Sequence, residues 1–255
     1  MEAVIYICHG SRLHKSKIES YALIDKVKKG VDIPLQETCF LELQEPTLAE
    51  AVSKVIEKGA TKVIIMPILL LTAGHAKKDI PNMIDKEREK YPEIDFIYGR
   101  AIEVDAKMVE ILIDRISTCT SEVEQYDLLL VGRGSSDRSA VEDTEKIVQH
   151  LKEHYPNNKI EKCFLAASEP KFEALLLEKV KDNKSVLILP YLLFTGLLDK
   201  GIKEYIEQLD LQAGQKILLA DYLGHHQNVS EVLISRVAEA RKGADPHATM
   251  VKRSS

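Results

Sequence analysis

Two stretches decide the fold: Cys39-Phe40-Leu41-Glu42-Leu43-Gln44-Glu45-Pro46 and Cys163-Phe164-Leu165-Ala166-Ala167-Ser168-Glu169-Pro170. Both begin Cys-Phe-Leu and end Glu-Pro, at an offset of 124 residues. The correspondence extends outward from them. Met66-Pro67-Ile68-Leu69-Leu70-Leu71-Thr72 aligns with Leu189-Pro190-Tyr191-Leu192-Leu193-Phe194-Thr195 at an offset of 123. Cys8-His9-Gly10-Ser11 aligns with Gly132-Arg133-Gly134-Ser135 at 124, and Glu110 and Arg115 with Glu231 and Arg236 at 121. Near-equal offsets in chain order define a tandem duplication of one unit.

The pattern within the first copy is strand and helix in alternation. Val4–Ile7 is an apolar run ending at His9-Gly10, and an amphipathic stretch near 14–29 closes at Gly30. Leu35–Leu41 reads as a strand. Thr47-Leu48-Ala49-Glu50 has the form of a capping box, in which two side chains satisfy orphan N–H groups at a helix start. Leu48, Ala51, Val52, Val55 and Ile56 then recur at helical spacing, and Gly59 is a fitting stop. Val63–Met66 and Ile68–Leu71 read as a buried strand and its exit, followed by a charged helix around 79–90, a strand at Phe96–Tyr98 and a helix near 105–116. The polar stretch Ser117 to Gln125 is the linker, and Leu128–Val131 restarts the pattern.

The fold class expected is therefore α/β, with two tandem duplicated domains, each a parallel β-sheet flanked by helices. The domains expected are 1–120 and 121–255. In such sheets ligands sit at the carboxyl ends of the strands.

Bulk properties narrow the function classes. The 255 residues carry a net charge of −5 and lack the basic face of a nucleic-acid binder. No apolar run reaches the ~18–20 residues that cross a bilayer. The N-terminal Met1-Glu2-Ala3-Val4 lacks a basic leader and reads directly as a strand, so a cytoplasmic protein with no membrane partner is expected. Cys8, Cys39, Cys119 and Cys163 form no Cys-x-x-Cys pair, which argues against a zinc knuckle or a dithiol and for buried free thiols. His225-His226, the pair His150 and His154, and His14 read as surface histidines, and the polar stretch from Gly243 to Ser255 as a frayed tail.

Three polar residues stand at strand ends. His9 follows the first strand in a Gly turn, Glu42 ends the second, and His75 lies past the third. Each alone fits a structural turn or a solvated loop. The second copy sharpens them: Arg133, Ala166 and Leu198 occupy the three positions while the surrounding Cys, Phe, Leu, Glu-Pro, Pro and Thr persist. One working site and one retired site would differ in this way. Two imidazoles and a carboxylate suit a borderline divalent metal, and equally acid–base work near neutral pH. Glu45-Pro46 persists in both copies and reads as helix-start structure, with Pro at the first helical position and the acid complementing the helix dipole.

Here the chain resembles a known family. Gly10-Ser11-Arg12 after His9, Phe40 through Thr47, and Pro67 through Pro81 with Leu70-Leu71-Thr72-Ala73-Gly74-His75-Ala76-Lys77-Lys78-Asp79 at its centre are similar to the class II chelatases, nearest to the sirohydrochlorin ferrochelatases of the Bacillus type. Sirohydrochlorin cobaltochelatases share these motifs. The resemblance covers nearly the whole chain and implies a chelatase-like fold with one active site, in the N-terminal copy. It implies insertion of Fe²⁺ into the tetrapyrrole sirohydrochlorin to give sirohaem, or of Co²⁺ on the anaerobic cobalamin route. The divalent metal is then a substrate, no cofactor is permanently bound, and the protein acts as a monomer. By resemblance His9, Glu42 and His75 are the catalytic and metal-binding residues, His9 a proton acceptor. Glu45, Leu70, Leu71, Thr72, Ala73, Gly74 and His75 line the tetrapyrrole pocket. Arg12, Lys77 and Lys78 are candidate cations for an acidic substrate. The absence of a histidine-rich run and of any cysteine after Cys163 favours iron. Two other classes stay open: a histidine phosphotransferase, which wants an arginine where Cys8 stands, and a non-catalytic metal or tetrapyrrole carrier.

Overall fold

A computed structural model describes residues 1–243, Asp199 by its backbone alone. It contains two four-stranded, all-parallel sheets, as the duplication requires. The first is built from β1 (Glu2–Cys8), β2 (Leu35–Phe40), β3 (Lys62–Ile68) and β4 (Asp95–Tyr98), in the order β2-β1-β3-β4. The second repeats that order with β5 (Asp127–Gly132), β6 (Ile160–Phe164), β7 (Val186–Pro190) and β8 (Ile217–Leu219), as β6-β5-β7-β8.

The apolar run of β1 explains its place at the centre. Ala3 through Cys8 are all buried, as befits a strand covered on both faces. Ala3, Ile5 and Ile7 share one core with Val63 and Ile65 of β3 and with Leu48, Val52 and Val55 of α2 (Leu48–Glu57). The chain passes from β1 to β2 on one side and then crosses to β3 on the other, so the strand order switches at β1, where such sheets open a crevice. Cys8 pairs with Phe40 on one side and Ile68 on the other, so three strands end level.

The helix signals hold locally. α1 (His14–Lys29) closes at Gly30, and Thr47 and Glu50 form the capping box of α2. Two local readings change. Pro46 is not the first helical residue; it lies one position before the N-cap Thr47, in a cis peptide, and its carbonyl accepts from Phe40 N–H at 2.9 Å. Pro170 accepts from Phe164 in the same way. The charged helix opens with a π-helical turn, His75–Asp79, before α3 (Ile80–Lys90). Such turns are rare and concentrate at functional sites.

By compactness the chain divides after Glu103, and the stretch from Ser230 returns to the first unit. The physical reason lies in two helices. α4 (Ala106–Cys119) buries Met108, Ile111, Leu112 and Ile116 and packs on β7 and α5 (Arg138–His154), in the unit Val104–Val229. α8 (Gln227–Arg241) serves the unit of Met1–Glu103. Arg115 and Arg236, aligned in the repeat, do matching work. Arg115 donates to the carbonyl of Tyr222 at 3.0 Å, and Arg236 to those of Ala101 and Ile102 at 3.3 and 2.8 Å. Each caps the exit of a fourth strand from a helix of the other copy. The remaining helices, α6 (Phe172–Lys181) and α7 (Leu197–Glu207), flank the second sheet.

Among the described residues no helix is long and apolar enough to cross a membrane. Cys8, Cys39 and Cys163 are buried free thiols as expected, while Cys119 is half-buried. The tail expected to fray lies, from 244 on, outside the described residues.

Candidate active site

The three strand ends of the first unit converge. His9 directly follows β1, Glu42 lies just past β2, and His75 opens the turn after β3. Backbone bonds lock the first two together: Leu41 N–H donates to Cys8 O at 2.8 Å and Glu42 N–H to His9 O at 3.2 Å. Gly10 permits this closeness. Its φ is +94°, and a Cβ there would lie 1.9 Å from Glu42 O. Gln44 adds a side-chain tie, donating from Nε2 to Ser11 O at 2.6 Å.

His9 Nδ1 lies 3.2 Å from Gly10 O and 3.5 Å from Glu42 Oε1. His75 Nδ1 faces Asp79 Oδ2 at 2.7 Å. A ring nitrogen set against oxygen acceptors favours the tautomer that carries its proton there and leaves the lone pair on Nε2. The two rings touch edge to face, with centroids 4.8 Å apart and planes at 89°. Side-chain exposures of 25% for His9, 47% for Glu42 and 37% for His75 put the group within reach of solvent. Among the described residues no three His, Cys, Asp or Glu side chains are set as a closed metal cage. The imidazole pair with one carboxylate beside it is an open arrangement.

Beside Glu42 lies an open recess of about 550 Å³, lined by Lys17, Phe40, Glu42, Leu43, Gln44 and Glu45 among others. Lys17 Nζ donates to Glu45 O at 3.0 Å and stands 5.3 Å from the Phe40 ring centre. Leu43 is 56% exposed at φ +63°, an apolar side chain held in water on a left-handed backbone. Glu45, Arg12 and Lys78 are exposed and Lys77 is half-buried. Leu70, Leu71, Thr72 and Ala73 are half-buried and Gly74 exposed, on the segment leading to His75.

Sequence reasoning missed three of these groups. Asp79 stands out in the sequence only as part of a longer motif, although its spacing of four from His75 puts the two on one helix face. At the offset of Pro67 and Pro190, its counterpart is Ile202, fully buried, and that of His75 is Leu198, packed on the core of the second unit. Lys17 and Leu43 gave no periodic signal. Elsewhere His14, His150, His154 and His225 are exposed, His150 pairing with Glu153 and His225 Nε2 lying 2.6 Å from Tyr222 Oη, while His226 is half-buried, 3.1 Å from Asp114.

Fold and site together define a duplicated α/β protein with one open histidine pair, in the first unit. Comparison with known proteins agrees on the fold. The CbiX family model matches residues 3–119 and again 127–240, and the chain belongs to that family. It is 45% identical over 239 residues to the sirohydrochlorin ferrochelatase of Priestia megaterium, covering 93% of this chain and 90% of that one. It is 35% identical over 250 residues to the sirohydrochlorin cobaltochelatase of the same organism, covering 95% and 81%. Among solved structures, SirB from Bacillus subtilis with Fe³⁺ superposes with a TM-score of 0.86 at 34% identity, covering 96% of this chain and 98% of that one.

Proposed function

We propose that this chain is a sirohydrochlorin ferrochelatase, a lyase-type enzyme that inserts Fe²⁺ into sirohydrochlorin in the cytoplasm. His9, Glu42 and His75 carry the reaction. The observation that supports it best is the convergence of these three side chains at level strand ends, where the second copy has Arg133, Ala166 and Leu198.

The reaction balances simply. The metal-free macrocycle carries two pyrrolic N–H groups; Fe²⁺ enters, and two protons leave. The Nε2 lone pairs of His9 and His75 are suited to receive the ion, and one imidazole to take a proton as the metal–nitrogen bonds form. Glu42, 3.5 Å from His9 Nδ1, stabilises positive charge on that ring. Metal and tetrapyrrole are both substrates, so no resident cofactor is required. Leu70, Leu71, Thr72, Ala73, Gly74 and Glu45 border the macrocycle, with Lys17, Arg12, Lys77 and Lys78 available to its carboxylates. The enzyme acts as a monomer and without nucleic acid. The greater identity to a ferrochelatase than to a cobaltochelatase supports iron; insertion of Co²⁺ is the second reading.

The test is anaerobic absorbance with sirohydrochlorin and Fe²⁺ or Co²⁺. Insertion faster than the protein-free blank is expected, with Fe²⁺ preferred. His9→Ala is expected to lower kcat about 10²–10⁴-fold, while Arg133→Ala leaves it unchanged. No acceleration would remove the enzyme reading and leave a carrier.

A further inference from the structure

Glu103 lies five residues past the end of β4 in the first unit. Its backbone is left-handed, with φ +61°, a conformation that disfavours a residue with a Cβ. Its N–H donates to Leu70 O at 2.8 Å, next to the bond from Ile102 N–H to Leu69 O at 3.0 Å. Its carboxylate accepts from Thr72 Oγ1 at 2.7 Å through one oxygen and from Arg100 at 3.0 Å through the other. Arg100 grips Glu239 of α8 at 2.8 and 3.2 Å, and Arg236 donates to the same Glu239 at 3.0 Å. A charged chain thus runs from the segment carrying His75 to the helix that completes the unit.

The second copy isolates what is special here. The backbone bond of Ile102 recurs as Leu223 N–H to Leu192 O at 2.8 Å, so the two loops match up to that residue. Thr72 recurs as Thr195. The residue after Leu223 is Gly224, where a Cβ would lie 1.8 Å from Leu193 O. Gly224 is not left-handed and is glycine for close approach alone, so the two loops part in conformation at this residue. The copy with the site residues has a glutamate in a strained conformation, its side chain 30% exposed and its carboxylate tied to the site segment. Strain kept beside a site, and absent from its twin, points to a task at that site.

We propose that Glu103 is a positioning residue: it holds Leu70–His75 against the tetrapyrrole edge, and α8 holds Glu103 through Arg100 and Glu239. The proposal rests on the chelatase reading for its kinetic consequence, and on structure alone for its effect on the segment.

The decisive variant is Glu103→Gly. It relieves the left-handed backbone and keeps the main-chain bonds, so folding is not impaired. The melting temperature should stay level or rise, while KM for sirohydrochlorin rises about tenfold, the scale of one charge-assisted hydrogen bond. Glu103→Gln keeps an acceptor for Thr72 and should recover most of the loss. Thr72→Val should approach Glu103→Gly, and the double variant should be no worse than Glu103→Gly, because both cut the Thr72–Glu103 link. Amide exchange should quicken in Glu103→Gly over residues 69–75, whether or not turnover is seen. Wild-type turnover with an unchanged KM in Glu103→Gly would overturn the proposal. So would unchanged exchange in 69–75, or losses in the double variant that simply add. A wild-type protein without turnover would overturn the functional reading alone, the exchange result still deciding the role of Glu103.

Discussion

Asp79 holds His75 from one helical turn away, its Oδ2 2.7 Å from the ring's Nδ1. Carboxylates placed this way behind metal-binding histidines fix the ring's tautomer and aim Nε2, the role that the proposed function gives Asp79. Removing it in Asp79→Ala is expected to lower kcat/KM for metal insertion about 10–100-fold. Asp79→Asn, which retains an acceptor for Nδ1–H, should lose less. The anaerobic insertion assay checks both, and an Asp79→Ala enzyme working at the wild-type rate would remove Asp79 from the site.

Leu43 gives a prediction with two opposite signs. Its left-handed backbone costs about 1–2 kcal/mol for a residue with a Cβ, and its exposed side chain recovers little burial. Leu43→Gly should therefore unfold at a higher urea midpoint. The same change removes an apolar surface beside the recess, so KM for the tetrapyrrole should rise. The counterpart, Ala167, also has positive φ, at +42°. Glycine there should stabilise without touching KM.

Lys179 gives the second unit a pH window. Its side chain is 2% exposed and bonds Glu161 and, at 2.9 Å, Asp127. Burial alone would lower the Lys179 ammonium, but its bonds to Glu161 and Asp127 outweigh this and raise it above the usual 10.5. Burial likewise would raise the Glu161 carboxyl, and bonds from Lys179 and Lys159 bring it below the usual 4.5. The lysine's contribution is full below pH 10.5 and fades as pH climbs through its raised value. The glutamate's is full above pH 4.5 and fades as pH falls through its lowered value. Lys179→Met should cost about 3 kcal/mol near neutral pH. Its deficit against wild type should shrink at both extremes, as read from urea melts across pH.

Much of this was legible in the sequence. The repeat fixed two parallel sheets, because strand pattern and Glu-Pro punctuation recur at one offset. The strand-end positions of His9, Glu42 and His75 followed from the same alignment, since losses in one copy mark a site that scaffold residues cannot. Asp79 was readable in principle from its helical spacing to His75. The packing of α4 and α8 was not. An apolar stripe such as Met108, Ile111, Leu112 and Ile116 says that a helix is buried, never against which sheet. Pro46 misled because Glu-Pro before a helix is ambiguous by one or two positions, and the capping side chain of Thr47 decides it. Glu103 and Leu43 lay hidden because a left-handed backbone leaves no sequence mark when the residue is not glycine.

The return of α8 to the first sheet has a consequence for synthesis. Glu2 of β1 and Arg241 of α8 are joined at 2.7–2.8 Å across 239 residues. At ~5–20 residues per second, the ribosome needs roughly 10–50 s to span that interval. Until then the surface that takes Ile234 at Gly30 and Ala240 at Gly99 lies uncovered. The stretch Val104–Val229 is contiguous and has all its elements earlier. The half made first is therefore finished last, and a nascent chain stalled near residue 120 would hold every site residue on a sheet still missing one of its helices.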